Sequence, residues 1–465
     1  RVAIPGHGPV ADPVTVLRVA STAARHEARI DLETLDRLRM APPLAAPWPD
    51  EARRLFCDLL LTGPAAIPVI EALDQCDLWV PIIPEWEPNR SRPQRNAFHR
   101  FTVDRHLLEA AAEAAALRHR VDRPDLLVMA ALLHDIGKGY PGDHSEVGES
   151  LARTIMARMG FAVDEVAAVC FAVRHHLLLP DVATRRDLDD PGTVSFVARL
   201  VGTPEQLALL AALAEADATA TGPAAWGPWR AQLVARLASL VARVLDGDVG
   251  SADHDEPAPA FPSAEQRALL DLGELHVTAD DDTLTVVCRD RAGVVYRVAG
   301  VLALHGLEVV GANIHSADAM VLDEFIVNLE TAQFVPWDRV LIDVTRVLEG
   351  RFALQSRLDE RLGSDRQRRR PGVHQFVPLV RFDNDGSAAA TIIEVVGPDS
   401  PGLLYRITKA IAEMDLDVRS ARIATVGDDV VDTFYVLGAD GSKVIDVEVQ
   451  HEVRRALLFA LDDDA

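Results

Sequence analysis

The most constraining feature of this sequence is an internal repeat. Val286 to Ile314 matches Val395 to Ile423 without a gap, at a constant offset of 109 residues. The same register continues through Asp323 and Asp432, and then through Phe325 and Phe434. Each copy has the pattern of a strand, a loop with glycine, a helix, two strands and a second helix. A repeat of this length predicts two copies of a βαββαβ sandwich.

The sequence before the repeat has a different texture. Apolar residues recur with helical spacing between about residues 104 and 245, whereas 246–266 is polar, acidic and rich in proline. A chain of 465 residues is too long for one core, so we expect a multidomain α+β protein. The predicted bounds are 1–98 for a helical connector, 99–245 for an all-α domain, 246–270 for a linker, 271–355 for the first repeat, 356–379 for a linker and 380–465 for the second repeat.

The overall charge disfavours polyanionic partners. The chain has 71 acidic and 47 basic residues, a formal charge of −24, which repels nucleic acid. We interpret the basic run at 366–370 as a solvated linker.

The sequence shows no uninterrupted apolar run of about 18 residues, which predicts no membrane contact. The four cysteines are scattered without metal-site or disulfide spacing, which fits a reducing cytoplasm: Cys57, Cys76, Cys170 and Cys288.

Histidines and aspartates gather in the predicted helical domain. Apolar helices rarely collect such side chains by chance, because an unpaired buried polar group costs several kcal/mol. Neutral imidazole and carboxylate are ligands for divalent ions, here Mg²⁺ or Mn²⁺, with iron possible. The candidate ligands, in chain order, are His106, His134, Asp135, His144, His175, His176 and Asp217. We interpret two further histidines, His99 and His119, as capping or surface residues.

The order of these residues predicts phosphate chemistry. An aspartate directly after a histidine can bridge two ions, and two ions can activate water and stabilise the oxygens of a phosphate ester. Lys138 lies one helical turn after His134 and can neutralise a phosphate oxygen. We therefore predict catalytic roles for His134, Asp135 and Lys138.

Three segments carry a resemblance to known proteins: RNAFHRFTVDRH, HDIGKGYPGDHSEVG and RHHLLLPD. With them, about 85–245 resembles an HD-superfamily phosphohydrolase, and more narrowly the HD domain of the bifunctional uridylyltransferase/uridylyl-removing enzymes. The resemblance implies a main metal site and a second site. The main site would use His106, His134, Asp135 and Asp217, and the second would be completed by His144, His175 and His176.

The glycine loops of the two repeats are DRAGVVYR at 290–297 and DSPGLLYR at 399–406. A glycine that only makes a tight strand-to-helix turn explains either loop alone. A glycine before a helix also lets a ligand carboxylate meet the N–H groups of the first turn. The two loops resemble those of ACT domains, which have a ferredoxin-like fold and bind amino acids. This implies effector contacts at Asp290, Gly293, Asp399 and Gly402.

An HD domain followed by two ACT domains is also the order in that enzyme family. The resemblance implies that glutamine is sensed at the ACT domains and favours removal of a nucleotide from the PII signalling protein. The Ala/Arg-rich sequence indicates a high-GC, actinobacterial source, where relatives transfer and remove AMP instead of UMP. The identity of the base therefore stays open.

The nucleotidyltransferase domain of the family has no counterpart in this sequence. A GS element and a D-x-D pair, the nucleotide-binding motif of that domain, are matched in residue type by Gly250, Ser251, Asp253 and Asp255. These residues lie close together in the polar linker, with no strand or helix between them. Because the chain starts at Arg1, we expect it to lack an N-terminal half; otherwise the natural protein lacks transferase activity. Two other functions stay open: a guanosine-tetraphosphate hydrolase with ACT regulation, and an amino-acid sensor with a vestigial HD site.

Overall fold

The computed structural model divides the chain into two compact units. The first consists of residues 1–183 and 198–248, and the second of residues 184–197 and 249–465. This division differs from the contiguous helical domain predicted over 99–245. The residues described are 1–5, 10–94, 100–186, 188, 190–222, 228–247, 262–291, 293–317, 319–327, 335–366, 378–423, 425–426 and 429–462. His99, the linker residues from Gly250 to Asp255 and most of the basic run at 366–370 lie outside them.

The chain up to residue 245 is helical, as predicted. Three features position the helices that carry the candidate ligands. One is an apolar central helix in which Leu126 to Leu133 are all buried. The other two are the side-chain N-caps Asp143 and Thr203, which begin two further helices. The α-helices are α1 (Thr15–Arg25), α2 (Leu32–Leu38), α3 (Asp50–Leu60), α4 (Ala66–Gln75), α5 (Val103–Ala116), α6 (Pro124–Leu133), α7 (His144–Arg158), α8 (Val163–Arg174), α9 (Leu178–Arg185), α10 (Pro191–Val201), α11 (Pro204–Thr221) and α12 (Pro228–Leu245).

One stretch of this region is long and apolar enough to cross a membrane by length and composition. It runs over Val163–Arg185, half of it is buried inside the structure, and it is interrupted between α8 and α9. Two sharply bent helix pairs, α3 with the segment Gly63–Gln75 and α10 with α11, also pass the test as pairs. The expected lack of membrane contact therefore stays a prediction.

The second unit contains the repeats as one mixed α/β assembly. Its helices are α13 (Ala264–Leu272), α14 (Val294–Leu304), α15 (Trp337–Leu348), α16 (Leu354–Arg366), α17 (Leu403–Glu413) and α18 (Val447–Leu461). Its strands are β1 (His276–Asp280), β2 (Thr283–Arg289), β3 (Val309–Ala317), β4 (Met320–Val327), β5 (Leu379–Asp383), β6 (Thr391–Pro398), β7 (Asp417–Arg422), β8 (Thr425–Val426) and β9 (Asp429–Leu437). They form one antiparallel sheet in the order β1-β2-β4-β3-β7-β9-β6-β5, with β8 paired to β9.

The strand order within each repeat corrects the βαββαβ prediction. Apart from the two-residue strand β8 of the second copy, the observed order in the described residues is ββαββα, because an extra strand precedes each copy instead of closing it. In the first repeat this strand, β1, forms a hairpin with β2 around Asp281 and Asp282, and Asp281 has a positive φ of 46°. Aspartate tolerates that conformation in short hairpin turns. The α+β class itself is confirmed.

The two repeats join through a local two-fold arrangement. Gly311 faces Arg422, Ala312 faces Ala421, and Asn313 faces Ser420. With the offset of 109 residues, Ala421 is the equivalent of Ala312, and Ser420 and Arg422 are the equivalents of Gly311 and Asn313. The join is therefore symmetric about the pair of Ala312 and Ala421. Two equivalent tyrosines, Tyr296 and Tyr405, meet edge to face with ring centroids 5.9 Å apart. The repeats therefore form an internal pseudo-dimer with one continuous sheet.

A short segment that precedes the repeats by many residues also belongs to the second unit. We call residues 184–197 the strap. The Arg186 guanidinium forms ion pairs at 3.0 Å with both Asp383 and Glu394. Asp190 accepts a hydrogen bond from the Ser387 hydroxyl. These contacts fix the strap against β5, β6 and the loop between them.

Candidate metal centre

Five helices or helix ends bring the candidate ligands of the first unit together. His106 lies in the first turn of α5, His134 caps the C-terminus of α6, and Asp217 lies within α11. His144 opens α7, and His176 follows the end of α8. Residues up to 111 apart in sequence thus share one buried site.

The first ligand group contains His106, His134, Asp135 and Asp217. The Nε2 atoms of the two histidines are 3.2 Å apart. The Asp217 Oδ1 atom lies 3.0 Å from Nε2 of His106 and 3.3 Å from Nε2 of His134. Ligand atoms bound at about 2.1 Å to one ion lie about 3.0–3.4 Å from each other. These separations therefore fit a divalent cation.

The Asp135 carboxylate connects this group to a second one. Its Oδ2 lies 3.3 Å from Nε2 of His134 and 3.7 Å from Nε2 of His106. Its Oδ1 lies 3.6 Å from Nε2 of His144 and 3.7 Å from Nε2 of His176. One oxygen faces each group, and both groups have the donor chemistry of a metal site. Asp135 is thus placed to bridge two ions.

Backbone carbonyls orient two of the histidines. Nδ1 of His134 lies 2.8 Å from the Ala131 carbonyl, and Nδ1 of His176 lies 2.8 Å from the Val173 carbonyl. A carbonyl only accepts hydrogen bonds, so Nδ1 must carry the proton in each contact. In the neutral ring this leaves the lone pair on Nε2, toward the centre, which is the tautomer that a metal requires.

Buried opposite charges dominate the electrostatics of the centre. Burial opposes the charged form of His134, but the carboxylates of Asp135 and Asp217 outweigh it and raise its pKa to about 10. Burial also disfavours both carboxylates, yet Lys138 and His134 hold the pKa of Asp135 well below its usual range, and His134 does the same for Asp217. Burial lowers the pKa of His176 to about 4. The carboxylates are therefore ionised, and His176 is neutral at physiological pH.

Lys138 is engaged within the centre. Its ammonium contacts Oδ2 of Asp135 and donates to Oε1 of Gln94 at 3.0 Å. The sequence predicts that this lysine neutralises a phosphate oxygen, and that role stays a prediction. In the structure the ammonium balances the bridging carboxylate, and its side chain remains 25% exposed at the rim.

The structure does not bring His175 into either ligand group, which corrects the predicted His175 and His176 pair. The His175 ring packs against Phe171 with centroids 4.5 Å apart. Burial, together with the Arg174 charge, lowers its pKa. The chain turns between α8 and α9, so adjacent histidines point in different directions, and only His176 reaches the centre.

Asn89 supports the centre and was not predicted from the sequence. Asn89 is fully buried, and its side-chain amide donates to the Ile136 carbonyl at 2.9 Å. That carbonyl belongs to the 3-10 turn Ile136–Gly139, which directly follows Asp135. Asn89 therefore positions the turn. The proline-rich connector around it showed no chemical pattern that identified this residue.

Gly137 gives the first prediction. A Cβ atom there would overlap the His144 carbonyl and lie 2.8 Å from the Gly148 nitrogen, both of which are backbone atoms. We expect Gly137→Ala to destabilise the first unit by about 1–3 kcal/mol, because rigid backbone must move to relieve the overlap. Urea unfolding followed by tryptophan fluorescence measures this, since Trp48, Trp79 and Trp86 are buried there. The exposed Ser150→Ala on α7 is the control; equal stability of both variants would contradict the tight fit.

His176 gives the second prediction. Under saturating Mn²⁺, we expect His176→Ala to bind one ion fewer per chain than the unaltered protein, because it removes a ligand of the second group alone. His175→Ala is the matched control and should keep the full metal content, since its ring contacts Phe171. Elemental analysis after gel filtration measures both. The same metal content in the two variants would contradict a second ion position.

Two cavities lie where the repeats meet in the second unit. The first-repeat cavity has a volume of about 260 Å³ and is lined by Asp290 and Gly293 together with Asp417 of the second repeat. The second-repeat cavity has about 330 Å³ and is lined by Asp399 and Gly402 together with residues of the first repeat. Both glycines are left-handed N-caps, with φ of 86° and 77°. The four predicted effector residues thus lie in two symmetry-related cavities.

Comparison with known proteins agrees with this architecture. The model of the HD domain family matches residues 103–222, and that of the ACT domain family matches residues 391–448. The chain therefore contains an HD domain in its helical part and an ACT domain in its second repeat.

The chain is also similar to bifunctional uridylyltransferase/uridylyl-removing enzymes over nearly its whole length. The enzyme of Streptomyces coelicolor is 40% identical over 93% of this chain and 58% of its own length. The enzyme of Mycobacterium tuberculosis strain H37Rv is 37% identical over 92% and 54%, and that of Gluconobacter oxydans is 31% identical over 97% and 55%. The chain thus corresponds to the C-terminal HD and ACT portion of these enzymes and spans about half their length.

Proposed function

We propose that the chain removes a nucleoside monophosphate, UMP or AMP, from the modified tyrosine of the PII signalling protein by metal-dependent hydrolysis. The observation that carries the proposal is the Asp135 carboxylate, one oxygen of which faces each of two ligand groups. The names of the relatives support the uridylyl-removing reaction. Cleavage at the tyrosyl phosphodiester would release the nucleotide and unmodified PII.

The residues of the centre have distinct proposed roles. His106, His134, Asp135 and Asp217 would hold one divalent ion, and Asp135 with His144 and His176 would hold another; Mg²⁺ and Mn²⁺ are the candidates, with iron possible. Such ions supply Lewis acidity and lower the pKa of water.

Lys138 has a proposed role besides charge balance. It contacts the bridging carboxylate at the partly exposed rim of the site. A substrate phosphoryl group arriving there would compete with Asp135 for its ammonium, which would place the positive charge on a phosphate oxygen.

Regulation is proposed to reside in the two repeats. An amino acid, glutamine by family resemblance, would place its carboxylate at the first turn of α14 or α17, where Gly293 or Gly402 exposes helix N–H groups. Its binding can stimulate hydrolysis only if the active arrangement binds it more tightly. The full-length protein is further proposed to carry PII nucleotidylyltransferase activity and to act in the cytoplasm.

Two other functions are weighed against this one. A guanosine-tetraphosphate hydrolase would use a similar metal site, but the relatives named above carry the uridylyl-removing function in their names. An amino-acid sensor with a vestigial HD site would not need the buried histidines and carboxylates that the structure retains at metal-ligand spacing.

The test is direct hydrolysis. The purified chain is incubated with Mn²⁺ and one of three substrates, namely uridylylated PII, adenylylated PII or guanosine tetraphosphate, with and without glutamine, and the products are quantified by mass spectrometry. We expect release of one of the two nucleotides, faster with glutamine. Cleavage of guanosine tetraphosphate instead would favour the second candidate, and no hydrolysis of any of the three would favour the sensor.

A further inference from the structure

Each repeat buries a carboxylate at the same position of its sheet. Asp323 on β4 and Asp432 on β9 are equivalent in the repeat, and both are 1% exposed. Asp323 lies between Val321 and Phe325, whose side chains belong to the core beneath the helices. Within the described residues, neither oxygen of Asp323 has a hydrogen-bond partner. An unpartnered buried carboxylate is costly, and the packing of the first repeat does not explain it.

The surroundings of Asp323 are acidic. It lines the first-repeat cavity with Asp290 of its own repeat and with Asp415 and Asp417 of the other. Burial, together with the charges of Asp290 and Asp417, raises the pKa of Asp323 to about 8. Arg291 is the cationic residue among the described lining residues, and its guanidinium donates to the Leu348 carbonyl. The interior of the cavity therefore favours a cationic group.

The part of the cavity lined by the N-terminus of α14 favours an anion. Gly293 is the left-handed N-cap of α14, and the first-turn residues Val294 to Tyr296 also line the cavity, so that the positive end of the helix dipole lies at its wall. The volume of about 260 Å³ is below the roughly 300–1,000 Å³ of sites for drug-sized ligands and has room for a ligand the size of an amino acid. A zwitterion matches this distribution of charge: carboxylate at the helix, ammonium toward Asp323.

We propose that Asp323 is the ammonium receptor of the first-repeat cavity, and that the surrounding carboxylates select an amino acid with an uncharged side chain over one with a second carboxylate. This inference rests on the proposed amino-acid sensing. A side-chain carboxylate, as in glutamate, would meet Asp290 or Asp417, whereas the amide of glutamine would not be repelled.

The experiment is calorimetric titration of the full chain and its Asp323→Asn variant with two probes, L-glutamine and glutaramate, which is glutamine without its ammonium group. We expect Asp323→Asn to weaken glutamine binding at one site by about tenfold or more, the usual loss when a charged contact is removed. Glutaramate should bind weakly and equally to both proteins. L-glutamate should bind the unaltered chain less tightly than glutamine.

Asp432→Asn is the matched control, because it makes the same substitution at the equivalent strand position in the other cavity. It should leave the Asp323-dependent binding event intact. The melting temperature separates a receptor from a structural role: replacing a buried carboxyl group that has no hydrogen-bond partner should keep or raise the melting temperature. A lowered melting temperature with equal loss of both probes overturns the receptor role.

Two further outcomes separate this inference from the function beneath it. Unchanged glutamine affinity in Asp323→Asn, with binding present in the unaltered chain, overturns the inference alone. If the unaltered chain binds no amino acid, both the inference and the proposed sensing fail.

Discussion

The Asp135→Asn variant is expected to lose hydrolysis of modified PII by about a thousandfold or more, because bound ions supply several kcal/mol of transition-state stabilisation. Asparagine has nearly the same shape but lacks the charge that both ligand groups share through Oδ1 and Oδ2. His134→Ala should have a similar effect, since its ring faces both Asp135 and Asp217. Nucleotide release under saturating Mn²⁺ measures both variants.

The matched control for these variants is His175→Ala. It removes an imidazole from the same unit but from a position against Phe171. Hydrolysis should therefore continue near the normal rate. Circular dichroism should show unchanged helicity in all three variants, which separates loss of chemistry from loss of fold. Normal cleavage by Asp135→Asn would refute the proposed metal centre.

The second large effect is expected at the glycine of the second repeat. Gly402→Val should abolish stimulation by glutamine while the metal content stays unchanged. A β-branched residue is strongly disfavoured at the φ of 77° found there, and its side chain would enter the cavity that the loop lines. The ratio of hydrolysis rates with and without glutamine measures the loss.

Gly441→Val is the control for backbone strain in the same repeat. Gly441 also has a positive φ, 75°, but a Cβ atom there would meet nothing within 4 Å. It should cost similar stability and retain stimulation. The first repeat offers the same comparison between Gly293→Val and Gly350→Val, with φ of 86° and 73°. Unchanged glutamine affinity in both cavity variants would place the sensor elsewhere.

The sequence was most informative where chemistry restricts residue type. Histidines and aspartates in apolar helices predicted the members of both ligand groups, because no packing argument accounts for them. It could not separate His175 from His176, since the direction of each ring depends on how the chain turns after α8. The role of Asn89 could not be predicted from the sequence either. Its buried amide donates to a carbonyl 47 residues away, and such a contact produces no periodic pattern in the sequence.

The sequence repeat predicted the glycine loop and the helices of each copy but not all of its strands. The glycine loops and the helices after them lie at the predicted positions. They could be predicted because the left-handed N-caps at Gly293 and Gly402 favour glycine over other residues. The strand that precedes each copy was missed, although the three consecutive aspartates at 280–282 mark a hairpin turn. The strap was missed for another reason: its partners are determined by long-range contacts, and local propensity carries no information about those.

The strap also constrains how the protein is made. The partners of the strap are synthesised much later than the strap itself. Glu394, the partner of Arg186, follows it by 208 residues, and Ser387, the partner of Asp190, follows it by 197 residues. During synthesis the strap leaves the ribosome long before its binding surface exists, so for most of translation its arginine and aspartate stay in solvent or find temporary partners. Closing so long a loop is slow compared with local helix formation. The strap can therefore pack against the second repeat only after residues 387–394 have been synthesised, and a ribosome that stalls before residue 387 leaves the strap without its partners.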